Sequence, residues 1–269
     1  MTKPIGVQLY SVRDDSTKDF LGVLKRIASL GYKLVEPAGL YDIRPREFRK
    51  IIQDLGMDMV SSHTPWVASI NNVGECMDIA DELGLKRVVC GYGPEQFKDL
   101  DSIKRTAENT TRVYEILQRN GYELFQHNHW FEFNRFDGRL AYEIYRDLIP
   151  EGVKFQIDCF WSTNYGKENP VEMLRKFADR TVLLHMKDGI CQQQKAEGET
   201  GYKNGLLDQP IELLPLGTGT LPIPELVKAA PQQVEAIIVE LDYCSVEMWK
   251  ALEQSYRYMT ENGLAAGNR

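Results

Sequence analysis

Eight short apolar runs alternate with amphipathic segments along the whole chain of 269 residues. The runs are IGVQLY from Ile5, KLVEPA from Lys33, MDMVSSH from Met57, KRVVCGYG from Lys86, YELFQHNH from Tyr122, VKFQID from Val153, TVLLHMKD from Thr181 and AIIVELD from Ala236. Short, nearly continuous apolar runs are typical of strands buried on both faces of a sheet. Eight such strand–helix units without a break in composition predict an α/β fold, a single-domain (β/α)8 barrel over residues 1–269.

The segments between the runs have the periodicity of helices. In STKDFLGVLKRIASLGY, Ser16 is the predicted N-cap and Gly31 the stop, with apolar residues at i, i+3, i+4 spacing: Phe20, Leu21, Leu24 and Ile27. A doubly wound open sheet is the alternative architecture. Such a sheet would usually be shorter or carry a GxGxxG turn after its first strand, and this chain has no such turn.

One connection is much longer than the others. Residues 189–220, GICQQQKAEGETGYKNGLLDQPIELLPLGTGT, separate the seventh run from the next helical segment. Loops of this length are uncommon in compact domains and are usually functional. We therefore expect an active-site loop at 189–220 on the carboxyl face of the barrel, with a solvated insertion as the alternative.

Charge and composition exclude several classes of protein. The net charge of −7 and the pI of about 5.3 argue against binding of a nucleic-acid backbone. No stretch reaches the roughly 18–20 apolar residues that a bilayer span requires. The five cysteines are scattered without a CxxC pair, which favours reduced thiols. With no signal peptide visible before the first run, we expect a cytoplasmic location, unless such a signal has been removed.

Polar residues cluster at the ends of the apolar runs, where a barrel builds its active site. They are Gln8 and Tyr10, Glu36, His63, His127, Asn128 and His129 with Glu132 shortly after, Asp158, His185, Lys187 and Asp188, and Glu240 and Asp242. All four histidines of the chain lie at such positions. A single histidine beside a strand is usually a satisfied core residue, but four at the same end of the strands indicate a site.

Four of these residues lie at matched depth in neighbouring runs, namely His127, Asp158, His185 and Glu240. Mixed imidazole and carboxylate ligands suit one divalent ion such as Mn²⁺, Co²⁺, Zn²⁺ or Mg²⁺. We therefore predict that the four side chains bind a metal. The alternative is that Asp158 and Glu240 pair with Lys187 or with arginines in the barrel mouth.

The chain resembles the xylose isomerase-like TIM barrel superfamily, the sugar phosphate isomerase/epimerase group that also includes endonuclease IV. The resemblance covers nearly the whole chain and rests on GVQLYSVR, VEPAGLY, SSHTPW, FQHNHWFEF, QIDCFW, LLHMKD, PLGTGT and VELD, in that order. It implies a (β/α)8 TIM barrel with a metal bound by a Glu, an Asp, a His and a second Glu. Asp158, His185 and Glu240 match the last three of these ligands.

The first ligand is where this chain departs from the family pattern. The usual Glu-Pro is replaced by His127-Asn128-His129, and Glu132 follows. Either His127 takes the ligand position or Glu132 curls back to the metal, and depth along the strand favours His127. The His-Asn-His sequence is similar to a subgroup of inosose dehydratase-like and 3-keto-glycoside-processing barrels.

Isomerisation, epimerisation and β-elimination share a first step, the removal of a proton next to a carbonyl to give an enediolate. The candidates for proton transfer are Glu132, His129 and Glu240, and Lys187 is expected to stabilise an oxyanion or bind a hydroxyl or phosphate. The predicted substrate contacts are Gln8, Tyr10, Glu36, His63 and Trp161, and Trp66 offers a further aromatic face.

Three functions compete. The first is a divalent-metal-dependent isomerase or epimerase of a sugar or sugar derivative. The second is a metal-dependent lyase or dehydratase of keto-sugars, 3-keto-glycosides or inososes. The third, a non-catalytic sugar-binding or DNA-repair barrel, is disfavoured because repair of that type needs more histidines and a basic face. The expected partner is a small polyhydroxylated substrate, with no nucleic acid and no membrane, and a homodimer is allowed.

Overall fold

Seven parallel strands form one curled sheet in this computed structural model, which describes residues 2–191, 202–203, 206–207 and 211–268. The strands are β1 (Ile5–Gln8), β2 (Leu34–Glu36), β3 (Arg87–Cys90), β4 (Glu123–His127), β5 (Lys154–Asp158), β6 (Thr181–Met186) and β7 (Ala236–Val239). Their order across the sheet is β2-β1-β7-β6-β5-β4-β3. The barrel predicted from the sequence is confirmed.

The expectation of eight regular strands is wrong at the third apolar run. That segment makes a single parallel bridge, between Asp58 and Leu34 of β2. In the middle of the run, two backbone groups bond to side chains: the Met59 amide donates to Asp58 Oδ1 at 2.8 Å and the Val60 carbonyl accepts from Arg87 Nη1 at 3.3 Å. Such local bonds compete with a strand ladder. The segment still lies between β2 and β3.

Eight α-helices lie in the described ranges: α1 (Arg13–Leu30), α2 (Pro45–Asp54), α3 (Val73–Leu83), α4 (Leu100–Arg119), α5 (Ala141–Leu148), α6 (Pro170–Lys176), α7 (Ile223–Ala229) and α8 (Met248–Glu261). Short 3₁₀ helices cover Leu9–Val12, Pro94–Phe97, Phe131–Phe133 and Trp161–Thr163. Antiparallel ribbons pair Arg135–Phe136 with Arg139–Leu140, Tyr202–Lys203 with Leu206–Leu207, and Asp188–Cys191 with Ile211–Leu214. Of the described helices, none is long and apolar enough to span a bilayer.

Helix α1 begins earlier than the sequence predicts. Ser16 lies inside it, and its hydroxyl donates to the Val12 carbonyl at 2.9 Å instead of capping the helix. The helix breaks at Asp19, where φ is −152° and ψ is 80°. Asp19 Oδ1 accepts the amide of Gly22 at 2.9 Å and so caps the second half of the helix. The predicted stop at Gly31 is confirmed, with φ of 105°.

An apolar plug fills the inside of the barrel at the amino-terminal ends of the strands. It consists of Leu34, Val89, Phe125, Val182, Leu183, Ala236 and Ile238. A larger apolar layer lies between the sheet and the helices. Side chains alternate between the two faces of a strand, so the interior position two residues beyond a plug residue faces the carboxyl end of the barrel. Glu36 on β2 and His127 on β4 hold such positions.

The ends of the predicted long loop are tied together by one carboxylate. Asp188 Oδ1 accepts the amides of Gly189 and Leu221 at 2.8 and 3.0 Å, and Oδ2 accepts those of Gly217 and Gly219, both at 2.9 Å. Glycine is required at 219, because a Cβ there would come within 2.3 Å of Asp188 Oδ1. Residues 192–201, 204–205 and 208–210 of the loop lie outside the described residues.

Replacement of Asp188 by Ala removes four charge-assisted hydrogen bonds and leaves the four amides without this acceptor. We expect the free energy of unfolding to fall by about 2–4 kcal/mol, to be measured by urea denaturation. Asp179→Ala is the matched control, because that carboxylate is 63% exposed and lies 3.9 Å from Arg180. An equal free energy of unfolding in the two variants would contradict a stabilising role for the four bonds to Asp188.

Candidate active site

A cavity of about 380 Å³ opens at the carboxyl ends of the strands. The residues of the predicted site that line it are Tyr10, His63, His127, His129, Trp161, Lys187 and Glu240. The other predicted residues, namely Gln8, Glu36, Glu132, Asp158 and His185, are buried around it and do not form its wall. The predicted residues therefore lie together at this end of the barrel, some on the cavity wall and the others behind it.

Four of the predicted residues come together as one group. The potential ligand atoms of His127, Asp158, His185 and Glu240 all lie within 4.8 Å of one another. His127 and Asp158 end β4 and β5, and the parallel register pairs Asp158 with His185 on β6. Glu240 follows β7 directly. Adjacent strands in register thus bring two imidazoles and two carboxylates to one point.

His127 has the properties of a neutral metal ligand. Burial lowers its pKa well below the usual range, so the imidazole is uncharged. Its Nδ1 is buried and has no hydrogen-bond partner within the described part of the chain. Glu132, the alternative ligand from this region, is not in the group, and its Oε2 accepts the His129 amide at 3.0 Å. Burial raises the pKa of Glu132 well above the usual range, which favours the carboxylic acid.

His185 is held between two carboxylates. Its Nε2 lies 2.6 Å from Glu36 Oε2 and its Nδ1 lies 2.7 Å from Glu240 Oε2. Burial alone would lower the pKa of His185, but the charges of Glu36 and Glu240 outweigh it and raise the pKa to about 10. The bond to Glu36 orients the ring so that Nδ1 faces the group, and metal-binding histidines commonly have a carboxylate on their other ring nitrogen in this way.

A fully hydrogen-bonded network supports Glu36 beneath the cavity. Gln8 Nε2 donates to Glu36 Oε2 and Gln156 Nε2 donates to Glu36 Oε1, both at 2.7 Å. Gln156 Oε1 in turn lies 2.7 Å from His63 Nε2. The predicted substrate contacts Gln8 and Glu36 are thus occupied with protein partners at a depth below the cavity wall.

Lys187 lies inside the same group with no exposed surface. Its Nζ is 2.6 Å from Asp158 Oδ2 and 3.5 Å from Asp242 Oδ2, and it also contacts Glu240 Oε2. Burial opposes its charge, but Asp158, Asp242 and Glu240 outweigh burial and raise the pKa of Lys187. The ion pairs that the sequence offered as an alternative to a metal are therefore present. Asp158 is fixed for them, because its Oδ1 accepts the amides of Phe160 and Trp161.

The donor set nevertheless fits a divalent ion. Four carboxylates, those of Glu36, Asp158, Glu240 and Asp242, face two cations, Lys187 and His185. The negative charge in excess, together with the unpartnered nitrogen of neutral His127, leaves a position that a cation would stabilise. Such an ion would compete with Lys187 for Asp158 Oδ2.

Two further side chains of the wall, Asp242 and Trp66, are noted in the sequence without a ligand or proton-transfer role. Asp242 lines the cavity, and burial raises its pKa to about 6. Asp242 lies in the VELD motif, and that position is the sequence feature that points to it.

Trp66 stacks on His129, with ring centroids 5.9 Å apart, and it packs on the bare backbone of Gly91. A Cβ at Gly91 would come 1.2 Å from the indole, a close approach that no local pattern in the sequence indicates.

Comparison with protein families gives one match. The profile of the family described as xylose isomerase-like TIM barrel matches residues 24–261. Among curated proteins, none matches the chain.

Solved structures share the fold at low identity. A sugar phosphate isomerase/epimerase from Parabacteroides distasonis is 23% identical, with a TM-score of 0.73 over 99% of this chain and 96% of that one. The probable 3-DHS dehydratase of Bacillus anthracis is 10% identical, with a TM-score of 0.67 over 96% and 98%. A barrel from Mycobacterium smegmatis in complex with magnesium is 17% identical, with a TM-score of 0.64 over 98% of both chains.

Replacement of Lys187 by Met tests whether a metal and this ammonium share the group. We expect the metal-free variant to lose about 3–5 kcal/mol of unfolding free energy, because buried carboxylates lose their partner. It should also bind Mn²⁺ at least ~10-fold more tightly than the wild type, since a unit charge at ~4 Å contributes several kcal/mol at an effective dielectric of ~20. Urea denaturation with and without Mn²⁺, and titration calorimetry, measure both effects.

Lys50→Met is the control, because that side chain is 74% exposed and pairs with Asp54 on the helix surface. If Mn²⁺ does not raise the unfolding free energy of the Lys187 variant, the carboxylates pair with the lysine and do not bind a metal.

Proposed function

The chain belongs to the xylose isomerase-like TIM barrel family, and from that premise we propose that it is a divalent-metal-dependent isomerase or epimerase of a sugar or sugar derivative. The observation that carries the proposal is the group of His127, Asp158, His185 and Glu240 beside an aromatic-walled cavity. The name of the Parabacteroides structure, a sugar phosphate isomerase/epimerase, agrees with this class of reaction.

In this proposal the four residues of the group hold one ion. A bound divalent cation supplies positive charge that stabilises an enediolate. Mn²⁺, Co²⁺, Zn²⁺ and Mg²⁺ all suit a set of two imidazoles and two carboxylates. Glu36 keeps His185 oriented toward the ion, and Phe160 and Trp161 amides keep Asp158 oriented.

Proton transfer is assigned to residues that reach the cavity. Glu240 and His129 line it from different strands, so they can act on different sides of a substrate carbon. Lys187, which lines the cavity, is assigned to stabilise negative charge on a substrate oxygen. Glu132 has no face on the cavity, and its bond to the His129 amide makes it a positioning residue for the His127–His129 segment.

The alternative is a metal-dependent lyase or dehydratase of keto-sugars, 3-keto-glycosides or inososes. Asp242 favours it, because a cavity carboxyl group with a pKa near 6 can protonate a leaving hydroxyl. The probable 3-DHS dehydratase shares the fold. A non-catalytic sugar-binding barrel or a DNA-repair barrel is the third candidate, and metal analysis of the purified protein separates the binder from the enzymes. We also propose a cytoplasmic location.

Charge-removing substitutions test the proposal. We expect Asp158→Asn and Glu240→Gln to lose stoichiometric metal binding and turnover while the circular dichroism spectrum of a folded barrel is retained. Metal content is measured by elemental analysis, and turnover by NMR of sugars in D2O, where an epimer or isomer indicates the first function and an unsaturated product the second.

The matched control is Glu235→Gln. Glu235 precedes the same strand at its opposite end, where it pairs with Arg87 at 2.7 Å. Stoichiometric metal and full activity in both Asp158 and Glu240 variants would overturn the site assignment.

A further inference from the structure

The charged side chains of the cavity wall are mostly acidic, which is unfavourable for binding a sugar phosphate. We infer that the substrate is an uncharged, unphosphorylated sugar derivative of about one ring, an inference that rests on the proposed function of the same site. Among the described residues of the wall, Lys187 is the one Lys or Arg side chain, whereas Glu240 and Asp242 are both acidic. A phosphate group would have to be bound by Lys187 or by uncharged donors.

Lys187 is held by the carboxylates around it. An ammonium carries three N–H donors. Its nitrogen lies 2.6 Å from Asp158 Oδ2, contacts Glu240 Oε2, and is 3.5 Å from Asp242 Oδ2. Two of its donors thus bond to carboxylates, a third carboxylate lies nearby, and the side chain has no exposed surface.

Within the described part of the chain, Arg13 is the arginine that packs on a wall residue. Arg13 stacks on the ring of Tyr10 at 4.2 Å, and its Nη1 donates to the Tyr10 carbonyl at 2.9 Å. His63 and His129 also line the cavity, and His63 Nε2 lies 2.7 Å from Gln156 Oε1.

A divalent ion at the group would not reverse the sign of the charge. With such an ion and Lys187, and with His185 neutral as a ligand, three positive charges face four carboxylates, those of Glu36, Asp158, Glu240 and Asp242. A phosphate dianion would add two more negative charges at short range. Because electrostatic repulsion is strong in a partly desolvated site, the cavity disfavours the ester.

The rest of the wall suits the uncharged part of a sugar. Trp66, Trp130, Trp161 and Tyr10 present aromatic faces, which pack against the C–H faces of a sugar ring. Trp130 Nε1 and His129 Nδ1 are buried and have no hydrogen-bond partner in the described ranges. The volume of about 380 Å³ accommodates a small ligand.

Matched pairs of sugars test the inference on the Mn²⁺-loaded wild-type protein. The probes are D-fructose and D-fructose 6-phosphate, D-ribulose and D-ribulose 5-phosphate, and D-glucose and D-glucose 6-phosphate, with binding measured by calorimetry and proton exchange by NMR in D2O. We expect the neutral member of a pair to bind at least ~10-fold more tightly than its phosphate ester, a factor that corresponds to ~1.4 kcal/mol. Tighter binding of any phosphate ester, or no binding of any neutral sugar, would overturn the inference.

Two outcomes separate this inference from the proposed function. Isomerisation of phosphate esters alone would refute the neutral substrate and leave the metal-dependent isomerase standing. Tight binding of a neutral sugar without proton exchange or product would support the substrate class and refute the isomerase.

Asp242→Asn supplies a second measurement, because it removes one cavity charge that is not in the proposed ligand group. In this variant the ratio between the dissociation constants of the phosphate ester and the neutral sugar should become smaller. An unchanged or larger preference would show that charge does not set the discrimination. Asp179→Asn, at an exposed surface position, is the control.

Discussion

Buried negative charge at the carboxyl end of the barrel is the constraint on which the site depends. Asp158 and Glu36 are almost completely removed from solvent, and Glu240 is 5% exposed. An ionised carboxylate in such a place requires hydrogen-bond donors or cations. Backbone amides, two glutamines, His185 and Lys187 supply them, so these residues form one electrostatic unit, and a change to one alters the others.

The barrel makes this concentration of charge possible. Its apolar plug of Leu34, Val89, Phe125, Val182, Leu183, Ala236 and Ile238 closes the amino-terminal end and lets the opposite end be polar. Parallel strands in register carry Asp158 and His185 to the same level, and Asp188, the residue after Lys187, turns away to hold four backbone amides of the loop. Lys187 therefore bonds to the carboxylates of the site, and the next residue, Asp188, bonds to the loop.

Much of this arrangement follows from sequence patterns. The apolar runs indicate the strands, and the polar residues that end them indicate the site, including the group of His127, Asp158, His185 and Glu240. The depth of each side chain does not follow, because Gln8 and Glu36 look the same in the sequence whether they face the cavity or support His185 from below. The pairing of Lys187 with three carboxylates also does not follow, because Asp158 ends β5, Lys187 follows β6, and Glu240 and Asp242 follow β7. The third apolar run does not form a regular strand, and the side chains of Asp58 and Arg87 bond to its backbone, which the apolar pattern does not indicate.

The central claim is that one divalent ion binds at the group where Lys187 now bridges Asp158 and Glu240. Anomalous diffraction at the manganese absorption edge, from crystals grown with Mn²⁺, tests it directly. The account predicts one anomalous peak between His127, Asp158, His185 and Glu240, with the Lys187 nitrogen moved beyond its 2.6 Å contact with Asp158 Oδ2. A difference map without a peak there, and with Lys187 still bridging the two carboxylates, would contradict it.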